Sequence, residues 1–566
     1  MIKQALKLAL IYIIASNTIS ANAVQIIPPS NTEAGTLNKS NAQINENIDN
    51  QSGFKDLIYK TKKEKPSNAA TGNSFKLNEI KYSGNTLYTN TEFRKFSDEY
   101  IGKQVSLSDL KVIIKKITSF YNDNGYITSF AYLPPQKIKN GVVEIAIVEG
   151  KIGKITIEGN KYSNTSYLKN NLLKSNGLKE NGFFNVRNLR KSLGEINEKD
   201  YLKGQVVLQK GESSEDSDLT LTVKEKCPIT FTPGWDNKGR DYIGTQRGVV
   251  GVGYNNLTGF GDRISATTIL ARRTLGVGTN YTLPLGPYGT EIQFGYGYSN
   301  VALGGDYKQY DISGHSHRFN TTLIQPIYKN DKITINSDLS LDMINSTTNI
   351  FESDIFQHYR ERPLRLGLNA VKDDSTGRFI SRFEASTGIP WLGATSDPTQ
   401  NGVGSPKFFK LMQNITRLQS LPYKTVGIFT LTGQYSPNAL LPAEQLEMGG
   451  ANTVRGFKEA CNYGDVGYYL NLELRRNIPY LPDMKYLKLK NRIQFATFYD
   501  QGFTHTIHQG KSDNYTNFLQ GLGVGLRIFL TKYIVANLDL GIPLGKDRYQ
   551  DQSNVRFHFS ISSNIF

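Results

Sequence analysis

Gly449-Gly450-Ala451-Asn452-Thr453-Val454-Arg455-Gly456-Phe457 is a glycine-rich stretch with one arginine at its tip. After nine intervening residues comes Gly467-Tyr468-Tyr469-Leu470-Asn471-Leu472-Glu473-Leu474-Arg475, in which apolar and polar residues alternate. Such alternation marks a strand with one apolar and one wet face. An arginine in a loop between strands of this kind needs an anionic partner if the loop is buried. The next alternating segment offers one in Phe495-Ala496-Thr497-Phe498-Tyr499-Asp500-Gln501-Gly502. By parity, Phe498, Asp500 and Gly502 share a face with Gln494 and Ala496. Ile493, Phe495, Thr497 and Tyr499 take the opposite, more apolar face. Asp500 is therefore expected to point inward, with Gly502 leaving room for a loop against the wall.

The same period-two pattern runs through residues 227–566. Ile333, Ile335, Leu339 and Leu341 oppose Asn336, Asp338, Ser340 and Asp342. Leu522, Val524, Leu526 and Ile528 oppose Gly521, Gly523, Gly525 and Arg527. One face suits lipid and the other a water-filled lumen. At roughly 20–22 residues per strand and connection, this span predicts about 16 antiparallel strands in a transmembrane β-barrel. The composition agrees: 32 Tyr, 28 Phe and 52 Gly accompany only 38% hydrophobic residues, which suits strands apolar on one face. Beyond the first twenty residues no apolar run is long enough for a membrane-spanning helix.

Upstream, residues 75–226 contain a repeat with a period of 75 residues. Ile80-Lys81-Tyr82-Ser83-Gly84-Asn85 returns as Ile155-Thr156-Ile157-Glu158-Gly159-Asn160. In the first copy Leu110, Ile113, Ile114, Ile117 and Tyr121 form a helical stripe, with Ser106 or Ser108 as candidate caps. Phe93, Phe96 and Tyr100 suggest a shorter helix before it, and Val142 to Val148 a strand after it. In the second copy Val186, Leu189, Leu193 and Ile196 form the matching stripe. Each copy reads β-α-α-β-β, a small helix-on-sheet module over 75–150 and 151–226. The edge of such a sheet can accept an extended peptide.

Met1 to Ala23 reads as a secretory signal, with Lys3 and Lys7 before an apolar run and Ala21-Asn22-Ala23 as a cleavage site. Residues 24–74 are polar and read as a linker with room for one short helix near 41–60. Export and half-apolar strands together point to a bacterial outer membrane, among whose lipids the strands are expected to lie.

The net charge is +16. A basic lumen or binding face would explain it, as would lysines scattered over the surface. The basic residues do not interleave with aromatics as a nucleic-acid groove requires, so no nucleic-acid partner is expected. Cys227 and Cys461 form neither a disulfide framework nor a CxxC site, and nothing in the sequence brings them together. Gly314-His315-Ser316-His317-Arg318 lacks the final glycine and the strand-to-helix setting of a nucleophile elbow. Gly510-Lys511-Ser512 ends like a P-loop but has His505 where the first glycine belongs. His315 and His317 have no third ligand nearby. No catalytic residue, cofactor or metal is expected, and the chain is not read as an enzyme.

With these residues in hand, the chain resembles the two-partner secretion transporters, a branch of the outer-membrane assembly-factor superfamily, over about residues 75–566. The resemblance implies two polypeptide-transport-associated (POTRA) domains and a 16-stranded barrel. It also implies a long sixth extracellular loop, near 440–466, that folds into the lumen. Its tip motif falls on Val454, Arg455, Gly456 and Phe457, and its wall motif on Phe495, Phe498, Asp500 and Gly502, with Arg455 and Asp500 as the lock. Asp236-Asn237 with Gly244, and Asn256-Leu257-Thr258-Gly259-Phe260-Gly261-Asp262, resemble the family's first strands. Family members often carry an N-terminal plug helix, for which 24–74 has room. They end in an aromatic residue, as Phe566 does. Val555, Phe557, Phe559 and Ile561 have the opposite parity from Phe566, and a bulge between them would restore the register.

The expected function is translocation of an unfolded exoprotein, captured in the periplasm by the POTRA domains, without nucleotide hydrolysis. An insertase of the same superfamily is the alternative, although such proteins typically carry more POTRA copies. A passive porin or receptor is another, against which the repeated periplasmic module argues. The cargo stays open among haemolysin, adhesin, haem-binding protein and contact-dependent toxin.

Overall fold

The computed structural model describes residues 74–563, except 175–176, 214, 331, 352–353, 396–403, 479–491, 508–514, 532 and 546–554. The expected signal peptide, the linker with its plug helix, and Phe566 lie outside the described residues.

The two repeat copies fold alike. In the first, β1 (Glu79–Ser83) is followed by α1 (Asn90–Ser97), α2 (Leu107–Asp123), β2 (Phe130–Tyr132) and β3 (Val142–Val148). In the second, β4 (Lys151–Glu158) is followed by α3 (Thr165–Leu173), α4 (Val186–Asn197), β5 (Leu202–Lys210) and β6 (Asp216–Glu225). Each sheet has its last strand in the middle, parallel to the first and antiparallel to the second. The helical stripes face these sheets: Leu110, Ile113, Ile117 and Tyr121 are buried on α2, and Val186, Leu189, Leu193 and Ile196 on α4. Ile114 is only half-buried, at the border of the stripe. Of the two candidate serines, Ser106 caps α2, in a capping box with Asp109.

The repeat extends to a detail that the sequence comparison alone missed. Gly84 and Gly159 both have φ +81°, and a Cβ at either would overlap a carbonyl of the central strand, Ile147 or Val223. Only glycine fits there. The turn after each glycine is held by a carboxylate from the end of that same strand. Glu149 accepts from the Thr86 and Leu87 backbone amides, each at 2.9 Å, and from the Tyr121 hydroxyl at 2.7 Å. Glu225 accepts from the Lys161, Tyr162 and Ser163 amides. The two modules touch directly. Val186 donates to the Gly125 carbonyl (2.8 Å) and Phe184 to the Gly150 carbonyl (2.9 Å).

The rest is a closed barrel of sixteen antiparallel strands. In order these are β7 (Ile229–Asp236), β8 (Arg247–Asn255), β9 (Arg263–Ala271), β10 (Thr274–Pro284), β11 (Glu291–Ala302), β12 (Ser313–Lys329) and β13 (Ile333–Ile350). Then come β14 (Asp354–Glu361 and Pro363–Asp374), β15 (Gly377–Gly388), β16 (Phe409–Leu421), β17 (Thr425–Tyr435), β18 (Val466–Asn477), β19 (Ile493–Thr506), β20 (Tyr515–Phe529), β21 (Ile534–Pro543) and β22 (Arg556–Ser563). Both pieces of β14 pair with β13, so they form one strand interrupted at Arg362. Faces follow parity. Leu339, Leu472, Leu474, Leu522 and Val524 are exposed to the lipid side, while Asp338, Asp342, Glu473 and Arg527 are buried inside.

β22 meets β7 over three residue pairs among the described residues. Asn237 lengthens this seam with its side chain, donating to the Phe557 carbonyl (2.9 Å) and accepting from the Phe559 amide (2.8 Å). Its neighbour Asp236 pairs with Arg247 at 2.8 Å. β22 runs from Arg556 to Ser563 against β21 without a register shift. Cys227 and Cys461 are not joined by a disulfide.

Asn256 to Asp262 is the turn between β8 and β9, and it docks on the second module. Asn256 donates to the Ser163 hydroxyl (2.9 Å), the Asn164 amide donates to the Gly259 carbonyl (2.9 Å), and Phe260 packs edge-on against Tyr167. Asp262 holds the turn closed by accepting from the Thr258 amide and hydroxyl, both at 2.9 Å.

Candidate functional site: the loop inside the barrel

Thirty residues, 436–465, join β17 to β18 and fold into the lumen. Leu446–Met448 pairs with Asn462–Gly464 inside this loop, so its tip is the end of a short hairpin. Gly449, Gly450 and Gly456 have φ near +100° (102°, 101° and 101°), a backbone that L residues rarely adopt. The glycine run thus turns the chain sharply enough to aim one side chain at the wall. Val454 and Phe457 are buried with Met448 and Leu519, anchoring the tip apolarly on either side of the arginine.

Arg455 is 5% exposed and Asp500 is fully buried. The guanidinium donates through Nε to Asp500 Oδ2 (2.7 Å) and through Nη2 to Oδ1 (2.8 Å), a two-pronged contact. The Arg455 backbone amide adds a third donor to Oδ2 at 3.1 Å. Asn471 donates to Oδ1 (2.8 Å) and to the Thr453 carbonyl, tying the tip to β18. The Phe498 ring lies under the guanidinium, 3.4 Å from its carbon to the ring centre, and supplies a cation–π face.

The lock is wider than one pair. Arg455 Nη1 also donates to Glu473 Oε2 at 2.6 Å and lies 3.8 Å from Asp539. Arg527 bridges Glu473 (2.9 Å) and Asp539 (2.7 Å), and Arg475 reaches Glu473 at 2.6 Å. The wall behind the tip is made of glycines. A Cβ at Gly521 would overlap the Arg455 carbonyl, one at Gly541 the Gly456 backbone, and one at Gly502 would crowd Met448 and Val454.

Of the residues singled out from sequence, the structure brings Val454, Arg455, Gly456, Phe457, Phe498, Asp500 and Gly502 together. Phe495 does not join them. It lies on the outer face of β19 at 43% exposure, where parity puts it. Glu473, Asp539, Arg527, Gly521 and Gly541 were not singled out for the site. Gly521-Gly523-Gly525 facing inward was the available signal, because three glycines on one face of a strand leave a flat wall on which another backbone can lie.

A closed 16-stranded barrel behind two helix-on-sheet modules, with a basic loop tip bound to its inner wall, defines an outer-membrane transporter of the POTRA-bearing class. The family model described as haemolysin secretion/activation protein ShlB/FhaC/HecB matches residues 215–528, and the chain belongs to that family. A POTRA domain of ShlB type matches 75–150, and a POTRA model described as surface antigen variable number repeat matches 150–226. The barrel is an outer-membrane barrel and its N-terminal domains lie in the periplasm.

Among its relatives, the heme/hemopexin transporter protein HuxB of Haemophilus influenzae (strain 86-028NP) is 23% identical, with 79% of each chain covered. The outer membrane transporter CdiB of Dickeya dadantii is 24% identical over 85% of each. Among solved structures, CdiB from Escherichia coli superposes with a TM-score of 0.70 at 20% identity, covering 96% of this chain and all of that one. At this identity the likeness speaks for the fold.

Proposed function

We propose that this protein exports one large exoprotein across the outer membrane, and that the Arg455–Asp500 contact is the latch of its gate. The carrying observation is the position of Arg455: a nearly dry cation at a loop tip, held inside the barrel by two carboxylates of its wall. The family and the periplasmic modules supply the context of a secreted partner.

The exoprotein is captured unfolded in the periplasm. Each module's sheet ends in edge strands, and β2, one of these, carries exposed Phe130 and Tyr132. An extended chain adds there by main-chain hydrogen bonds, with the aromatic pair selecting apolar residues. It then threads the lumen once the loop has cleared it. No nucleotide is needed, because folding at the cell surface makes the passage one-way. No catalytic chemistry is assigned to any residue.

Deletion of the gene, followed by a count of what the outer membrane and the medium lose, tests this reading. One missing secreted protein, with other outer-membrane proteins at normal levels, is the expected result. A broad loss of outer-membrane proteins would make it an insertase instead. A steadily open channel in the wild type, with no secreted protein lost on deletion, would make it a passive pore.

A further inference from the structure

The loop carries a second buried charge, Glu444, which the latch does not use. It sits on the limb that descends from β17, in the short 3-10 turn Pro442–Glu444, and is 1% exposed. Its carboxylate receives Arg365 of β14 and Lys410 of β16, and Lys410 also donates to the Glu444 carbonyl (3.1 Å). Lys410 itself is 1% exposed. These partners lie on one flank of the loop's exit, on β14 and β16. The partners of Arg455 lie on the other, on β18, β19 and β21. Gln434, at the exit, stitches the limbs together by donating to the Glu444 and Asp465 carbonyls (3.1 and 3.3 Å).

Each flank is an ion-pair network that closes only with the loop's charge. On the first, Arg318, Arg365 and Arg382 are linked to Asp338, Asp342 and Glu384, and buried Lys410 adds a fourth cation to the wall's three carboxylates. Glu444 supplies the fourth. On the second, Arg475 and Arg527 face Glu473, Asp500 and Asp539, two cations against three carboxylates. Arg455 supplies the third. A buried network left one charge out of balance is strongly disfavoured, because the lone charge has lost its water without gaining a partner.

We propose that Glu444 is a second latch: it seats the descending limb of the loop against β14 and β16 by balancing Arg365 and Lys410, and so positions the Arg455 tip. The gate is thus held from both flanks by charges of opposite sign. Glu444 acts through Arg455 and is a positioning residue. The proposal rests on the reading of the loop as a gate.

The test is single-channel recording of the full-length protein in planar bilayers, with potassium and chloride as the permeating ions. Insertion is checked by heat-modifiable migration. Glu444→Gln should raise the open probability by at least about tenfold, since it leaves the wall one positive charge in excess. The Glu444→Gln, Lys410→Gln double variant should fall back toward the wild type, because its wall is neutral again. A side chain needed only for packing would not be rescued in this way. Wild-type openings in Glu444→Gln, alongside altered openings in Arg455→Ala, would overturn the second latch and leave the first standing. Wild-type openings in both would remove the gate reading itself. A double variant no better than the single one would overturn the charge-balance argument. Should Glu444→Gln fail to insert, the double variant decides: insertion with a closed gate supports the proposal, and failure to insert overturns it.

Discussion

Arg455 makes sense only as part of its surroundings. A guanidinium that is nearly dry must recover its lost hydration, and it does so from Asp500, Glu473 and the Phe498 ring. Removing one partner of a buried pair costs on the order of 3–5 kcal/mol, because the other partner stays buried and unpaired. Arg455→Ala should therefore leave the barrel inserted but its tip undocked, and secretion should stop; exoprotein in the medium and heat-modifiable migration measure the two halves of that statement. The flat wall makes a second prediction. Gly521→Val should push the tip out of place with all charges intact, since any Cβ there overlaps the Arg455 carbonyl, and channel openings should become more frequent in bilayer recordings. Openings at wild-type frequency would mean that the tip does not lie where the wall makes room for it. Asp500 was legible as an inward residue from strand parity alone. Glu473 and Asp539 were not singled out, because alternation assigns a face and says nothing about which neighbours across the sheet share a network.

At the scale of elements, the repeat was readable because Gly84 and Gly159 each end a strand before a helix, and the helical stripes recur with them. The sequence left Ser106 and Ser108 open as caps, and the capping box with Asp109, three residues on, is what decides for Ser106. Less legible were Glu149 and Glu225, whose partners in the turns lie more than sixty residues away in sequence. Burial pushes the Glu225 carboxyl up, but hydrogen bonds from Ser163, Tyr162 and Lys161 outweigh that effect and hold it below its ordinary value. A carboxylate held low contributes stability that is present above its unfolded pKa of about 4.3 and is lost as the pH falls through the lower folded value. The 161–163 turn should loosen on acidification below about pH 4, visible as a fall in the hydrogen-exchange protection factors of those three amides. Protection factors unchanged by acid would show that the carboxylate does not hold the turn. Gly159→Ala should loosen the same turn at neutral pH, by about 1–3 kcal/mol of backbone strain and displacement.

Over the whole molecule, periplasmic modules, barrel and loop form one connected path. The modules interlock through Gly125 and Gly150, the second module holds the turn Asn256 to Asp262, and the loop crosses the lumen above them. Fold class and strand number could be read from the sequence because membrane strands repeat one simple pattern many times. The interlock could not, since it depends on a few polar residues in turns whose spacing carries no period. Asn256→Ala should leave the barrel intact yet loosen the second module from it, lowering secretion by a few-fold and speeding protease cleavage at the already exposed Lys226–Cys227 link. The central claim is that the loop tip gates passage of an exoprotein, and disulfide trapping tests it most directly. Cysteines replacing Val454 and Leu519, which pack together between tip and wall, tether the loop when oxidised, with Cys227 and Cys461 changed to Ser. Secretion of the exoprotein should stop in the oxidised protein and return on reduction; secretion that continues with the tether closed would contradict the account.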